Sequence, residues 1–194
     1  SRASVVSVGD AGLVEGGHPH DAEDRLQIRR RLGYLPQDAG FHRAFTAFEA
    51  VDYVAVLKEH TDARARHEEV RRVLGLVGLS GVAGKKVRAL SGGMRRRVGF
   101  ARAIALEPEI LLLDEPTTGL DPVMKAVVDE LILELQAKLG STAVSITHDM
   151  DSAFRIAERI AMLHRGKIIA YAPPAEFRAS PDPRVQQFIQ GLAT

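Results

Sequence analysis

The chain has 194 residues, 45% of them hydrophobic, and a formal net charge of +1. That is enough apolar material for one domain with a real core, and too little charge for long-range attraction to nucleic acid or anionic lipid. The absence of cysteine excludes disulfides and thiol catalysis and fits a reducing compartment. No apolar run approaches the ~20 residues of a membrane-spanning helix. Nothing at the start reads as a secretory signal, and the opening Ser1 suits a processed or cut end. No internal repeat and no low-complexity linker is visible.

"SVVSV" (Ser4 to Val8) reads as a short strand, followed by a turn-rich stretch from Gly9 to Gly17. "RLGYLPQD" carries a strand that stops at Pro36, because proline removes a backbone donor and restricts the residue before it. From Thr46 the spacing of Phe48, Val51, Val54 and Leu57 predicts a helix. A second runs from about Asp62 to Val77 and ends in the glycine-rich "GLSGVAGKK". A third opens at Ser91 and continues to Pro108. "ILLL" (Ile110 to Leu113) has no polar alternation, as expected of a strand buried on both faces of a parallel sheet. Val127, Leu131 and Leu135 mark one face of a helix after Pro122. "TAVSITHD" is another interior strand, "SAFRIAERI" a helix, and "IAMLHRGKIIAYA" a hairpin turning at Arg165 and Gly166. "SPDPRVQQFIQG" closes the chain with a short helix. Strands alternating with helices argue an α/β fold. The helical block from about 46 to 88 argues an inserted helical subdomain within a single domain spanning 1–194.

The chemistry centres on "ILLLDEPTTGLDP" (Ile110 to Pro122). A buried strand ending in a carboxylate places it at the carboxyl edge of the sheet, where such sheets bind ligands. Asp114 suits Mg²⁺, which prefers oxygen ligands and keeps waters. Glu115 points to the other side of the chain and can orient or deprotonate a water. The bland alternative is a pair of solvated loop carboxylates. In "LSGGMRRRV" (Leu90 to Val98), Ser91 is a good N-cap, and Gly92 and Gly93 leave backbone N–H groups open. Such a helix N-terminus binds phosphate, although an ordinary capped helix reads the same way. Arg95 to Arg97 read as a solvated face rather than a nucleic-acid patch. "HPH" (His18, His20) receives no metal role, because no further nearby ligand completes a set.

With these motifs in order, the chain resembles the nucleotide-binding domain of an ABC transporter. Five elements carry the resemblance: "LPQD" with Gln37 (Q-loop), "LSGGM" (signature, with Met94 where glutamine is usual), "ILLLDE" (Walker B), "GLDP" with Asp121 (D-loop) and "SITHD" with His148 (H-loop). They cover about residues 30 to 194. The resemblance implies a P-loop NTPase-like (RecA-like), mostly parallel core sheet with a helical subdomain. It implies ATP and Mg²⁺ as ligands, with Gln37 at Mg²⁺ and the attacking water, Asp114 supporting Mg²⁺, Glu115 as general base and His148 at the γ-phosphate. Ser91, Gly92 and Gly93 would contact ATP held by the opposite subunit, and Asp121 would link the two sites of a dimer. Transmembrane permease subunits and a second nucleotide-binding subunit, identical or different, are the implied partners, with no nucleic acid. The implied location is cytoplasmic, on the inner face of the cell membrane.

One expected element is not in these 194 residues. The phosphate-gripping pattern G-x-x-x-x-G-K-[ST] has its nearest candidate in "GLSGVAGKKV". There the glycine spacing is one residue too long, and Lys86 stands where Ser or Thr should bind Mg²⁺. It also lies beside the signature motif instead of after an early strand, so it reads as a decoy loop. The chain thus resembles a family domain lacking its Walker A front, with weak or no activity alone and an open sheet edge where a central strand is missing. "RRRLGYLPQDAGFHRAFTAFEAVDYVAVLK" resembles ABC-2-type exporter ATPases, whereas the residues from "ARAIALEPEILLLDEPTTGLDP" onward resemble Mla-type phospholipid-trafficking ATPases. The tail match is the more specific and points to lipid traffic. The alternatives are a non-catalytic module lending its LSGGM face to a complete partner, or a truncated or chimeric fragment. A soluble family member acting on ribosomes or DNA is disfavoured, because tandem cassettes and a basic surface are both lacking.

Overall fold

The computed structural model describes residues 4–8, 31–38, 40–42, 44–58 and 60–191. Six strands form one sheet: β1 Ser4–Val8, β2 Leu32–Leu35, β3 Ile110–Asp114, β4 Thr142–Thr147, β5 Ile160–His164 and β6 Lys167–Ala172, in the order β2-β3-β4-β1-β5-β6. β2, β3 and β4 are parallel neighbours, with Leu35 beside Leu113 and Asp114 beside Ile146. β1 runs antiparallel to both β4 and β5, and β6 returns antiparallel along β5. The expected α/β fold with a parallel core is therefore present, joined to an antiparallel half. An open sheet edge is also expected; among the described strands the outer ones are β2 and β6. β1 takes an interior position, starting at the carboxyl edge of β4 (Val5 opposite Thr147) and ending three residues down at Val8 opposite Val144.

The helices start where side chains can satisfy orphan backbone amides. Helix α1, Ala47–Leu57, opens on a capping box: the Thr46 hydroxyl accepts from the Glu49 amide at 3.1 Å, and the Glu49 carboxylate accepts from the Thr46 amide at 2.8 Å. Asp62 caps α2, Ala63–Leu76, and Ser91 caps α3, Gly92–Ile104, accepting from the Met94 amide at 3.3 Å. Helix α4, Pro122–Leu139, has Asp121 as N-cap, proline at its first position and left-handed Gly140 at its end, the proline-start and glycine-end asymmetry that helices favour. Asp149 caps α5, Met150–Ile156, and α6, Pro174–Arg178, and α7, Pro183–Ile189, complete the chain. Helix α5 is shorter than the sequence pattern suggested, because Ala157 adopts extended backbone and Ile160 already belongs to β5.

Two cores result. The larger joins α1, α2, α3 and α4 to Leu35, Leu111, Leu113 and Ala143 of the parallel strands. The smaller gathers Ala153, Ile160, Met162, Phe177 and Val185 around the β5–β6 hairpin. Burial in the first core corrects one expectation. β3 alternates, with Leu111 and Leu113 buried and Ile110 and Leu112 only half-buried. Leu32, Thr142 and Val144 on the same face are also half-buried, and Tyr34 and Ile146 are exposed. The apolar run thus reported hydrophobicity of the strand and not equal cover on its two faces. Gly33 shows how tightly the covered layer is built: a Cβ there would stand 2.2 Å from the Ala103 carbonyl oxygen of α3. The hairpin turns as expected, with Arg165 and Gly166 both at positive φ.

Candidate functional site

Three parallel neighbours end together, and each delivers one functional segment. β2 runs into Pro36 and Gln37, β3 ends at Asp114 before Glu115, and β4 runs into His148. Convergence at the carboxyl edge is a consequence of parallel pairing, and it is where open α/β sheets bind ligands. Glu115 sits at φ 48°, a left-handed conformation that costs a non-glycine residue free energy. Its amide donates to the Ile146 carbonyl at 2.8 Å, which extends the β3–β4 pairing through the turn.

The Glu115 carboxylate is held on both oxygens. Oε1 lies 2.8 Å from His148 Nδ1, and Oε2 accepts from the Thr118 hydroxyl at 3.0 Å and the Thr147 hydroxyl at 3.4 Å. Glu115 is 15% exposed and His148 66% exposed, so the pair has a protected carboxylate and an accessible imidazole. An ionised Glu115 requires the Nδ1 proton on its side of the ring, which leaves Nε2 turned away from the carboxylate. The arrangement can hold a water or hydroxyl at Glu115 and place an imidazole nitrogen against an anionic group. Thr147 also receives the Asp149 amide at 3.0 Å, and Asp149 pairs with Lys125 at 2.5 Å. Burial works against the Asp149 charge, but the Lys125 and backbone hydrogen bonds outweigh it and hold its carboxyl below the usual range.

Asp114 stands beside this pair, half-buried, with Oδ2 3.5 Å from the Tyr34 hydroxyl. A lightly engaged carboxylate of this kind suits Mg²⁺, which takes one or two carboxylates and fills its other positions with water and phosphate. Among the described residues no group of three or more Asp, Glu or His forms an all-protein cage. Gln37 is exposed, and its backbone carbonyl is tied to α3 by Arg96. Arg96 corrects the reading of Arg95 to Arg97 as a solvated face. It is half-buried, and its guanidinium donates to carbonyls of Pro36, Gln37, Asp114, Glu115 and Pro116. Burial lowers its pKa, opposed by the Asp114 and Glu115 carboxylates.

The signature residues stand at the start of α3, and Gly92 lines a cleft with Thr118, whose hydroxyl donates to Glu115. Ser91 and Gly92 are exposed at the start of α3, and Gly93 is buried, where a Cβ would meet Met124 Cε at 2.3 Å. Gly92 lines a cleft of about 410 Å³ with Gln37, Arg95, Arg96, Thr118 and Gly119. Asp121 spends one carboxylate oxygen on capping α4, accepting from the Met124 amide at 3.0 Å. The "GLSGVAGKKV" loop turns carbonyls toward a neighbouring helix. The Lys85 and Ala83 carbonyls accept from the Ala47 and Phe48 amides of α1. His18 and His20 lie outside the described residues. The residues that sequence reasoning missed are Thr118, Thr147, Tyr34 and Arg96. Arg96 alone had a usable signal, standing three residues after Gly93 and four before Phe100, on the buried stripe of α3.

Comparison with known proteins places this geometry in a family. A family model described as "ABC transporter" matches residues 7–118, beginning well before the Q-loop. The chain belongs to the ABC transporter family. It is 40% identical over 168 residues to the intermembrane phospholipid transport system ATP-binding protein MlaF of Escherichia coli (strain K12), covering 86% of this chain and 62% of MlaF. It is 34% identical over 174 residues to the probable ribonucleotide transport ATP-binding protein mkl of Mycobacterium tuberculosis (strain ATCC 25618 / H37Rv), covering 88% of this chain and 47% of mkl. The chain thus spans about half to three-fifths of these relatives' length. Among solved structures, the dimeric structure of MJ0796, a bacterial ABC transporter cassette, aligns with a TM-score of 0.68 and 30% identity over 79% of this chain and 67% of that one.

Proposed function

We propose that this chain is the nucleotide-handling part of an ATP-driven transporter subunit, with Glu115 as general base and His148 orienting it against the γ-phosphate. The observation that carries the reading is the 2.8 Å Glu115–His148 contact at the joint carboxyl end of three parallel strands. Asp114, with Gln37, would hold Mg²⁺, which would neutralise phosphate charge during transfer. Ser91, Gly92 and Gly93 would close over ATP bound to a second nucleotide-binding subunit, and Asp121 would lie between the two sites. Residues 46–88 would form the helical subdomain facing transmembrane permease subunits, with the chain peripheral on the inner face of the cell membrane. Phospholipid is the proposed cargo, supported by the MlaF likeness and the Mla-like tail.

The 194 residues alone should bind ATP weakly, because the backbone-amide ring that grips the β- and γ-phosphates is not among the motifs they carry. Bare carboxylates at Asp114 and Glu115 repel a triphosphate unless a cation bridges them. Calorimetry of the chain with Mg-ATP, followed by sedimentation with a P-loop-bearing partner subunit, tests the reading. The expected result is no micromolar binding alone, and ATP-dependent association with the partner that Ser91→Arg abolishes. Micromolar ATP affinity of the isolated chain, or association indifferent to ATP and to Ser91→Arg, overturns it.

A further inference from the structure

We propose that Arg96 is a positioning residue that locks the Gln37 segment and the Glu115 turn to the signature helix as one rigid unit. The inference rests on the reading of Glu115 as general base. A guanidinium has five N–H groups in one plane, and each has its own carbonyl here. Nε donates to Pro116 at 2.7 Å, Nη1 to Pro36 at 3.0 Å and Gln37 at 2.9 Å, and Nη2 to Asp114 at 3.1 Å and Glu115 at 2.7 Å. Three consecutive carbonyls of the turn and two of the Q-loop segment converge on one cation, so the donor set is saturated.

The geometry explains two features at once. Glu115 keeps a left-handed φ of 48°, and the carbonyls on both sides of it are held by the same nitrogen. The signature residues Ser91 to Gly93 lie within two turns of Arg96 on α3, so displacement of that helix end would carry Gln37 and Glu115 with it. Lysine cannot substitute, because its three donors radiate from one point and do not match a planar array of five carbonyls. Arg97 is the internal control: it bonds elsewhere, to the Val77 carbonyl at 3.4 Å.

The test has two arms. In the isolated chain, amide hydrogen exchange is compared for the parent, Arg96→Gln, Arg96→Lys and Arg97→Gln. Arg96→Gln should speed exchange at the Glu115 and Thr118 amides by about tenfold or more, since the turn loses the charge-assisted hydrogen bonds to its carbonyls. Arg96→Lys should give a smaller rise, and Arg97→Gln none at these amides. If Arg96→Gln fails to fold, Arg96→Lys against Arg97→Gln carries the comparison. Equal exchange at Glu115 in the Arg96 and Arg97 variants overturns the clamp. In the transporter assembled with its permease subunits, Arg96→Gln should lower kcat for ATP about tenfold or more with KM within about threefold. An unchanged kcat would reduce Arg96 to a purely structural role and overturn the positioning. If Glu115→Gln also hydrolyses ATP at the parent rate, the general-base reading is what has failed, and the exchange arm still decides the clamp.

Discussion

The parallel half of the sheet, β2-β3-β4, and the antiparallel half, β1-β5-β6, share one hydrogen-bonded surface but differ in what they can do. Parallel strands end on the same edge, so Gln37, Asp114, Glu115 and His148 meet there without any loop longer than a few residues. Antiparallel strands alternate their ends. β1 presents its first residues, not its last, at that edge, and β6 carries its end at Ala172 back beside Ile160. β1 runs away from that edge, from Val5 opposite Thr147 to Val8 opposite Val144. The comparison teaches that strand direction, more than strand position, decides where chemistry collects.

The cores of the two halves sharpen the contrast most strongly. Phe100, fully buried in the larger core, and Phe177, buried in the smaller, are the same side chain in different settings. Phe100→Ala should cost about 3–5 kcal/mol and lower the urea midpoint of the whole chain. Phe177→Ala should chiefly speed amide exchange in β5, β6, α6 and α7, leaving α3 protected. Equal loss of protection at α3 in both variants would show that the two halves unfold as one unit.

The second test asks whether the chemistry lies only on the parallel edge. In a version that also carries a phosphate-gripping loop, assembled into the transporter, Glu115→Gln should lower ATP turnover by about 10²-fold or more, because a general base commonly contributes 10²–10⁴. ATP binding should persist, which nucleotide titration of the variant would show. Parent-level turnover would remove Glu115 from the reaction.

The smallest effect concerns the support behind His148. The Lys125–Asp149 pair holds the first turn of α5, and the Asp149 carboxyl lies below its usual range. A depressed carboxyl pKa adds stability above the unfolded value of about 3.9 and loses it as pH falls below that. Lys125→Met should therefore cost about 1 kcal/mol near neutral pH. The difference from the parent should fade in urea titrations as pH drops below about 4. A gap that stays constant into acid would assign the effect to packing of the lysine stem.

Much of this protein could be read from residue order alone. Alternation of strand and helix, the caps at Thr46, Asp62, Ser91 and Asp121, and the hairpin at Arg165–Gly166 are local decisions, made by side chains within a few residues of the backbone they satisfy. The motif residues were legible for the same reason, since each chemistry needs its residue type at a fixed step from a strand or helix end. What spacing could not show was which surfaces meet. The "ILLL" run is equally apolar at all four positions, yet only Leu111 and Leu113 are buried, because cover depends on which helices pack on each face. Spacing could put Arg96 on the buried stripe of α3, but not show that the helix aims it at five carbonyls from segments some 20 and 60 residues away. The direction of β1 was equally invisible, since a strand's composition is the same whichever way it runs. Burial, clamp and strand direction are settled by long-range pairing, which only the tertiary structure decides.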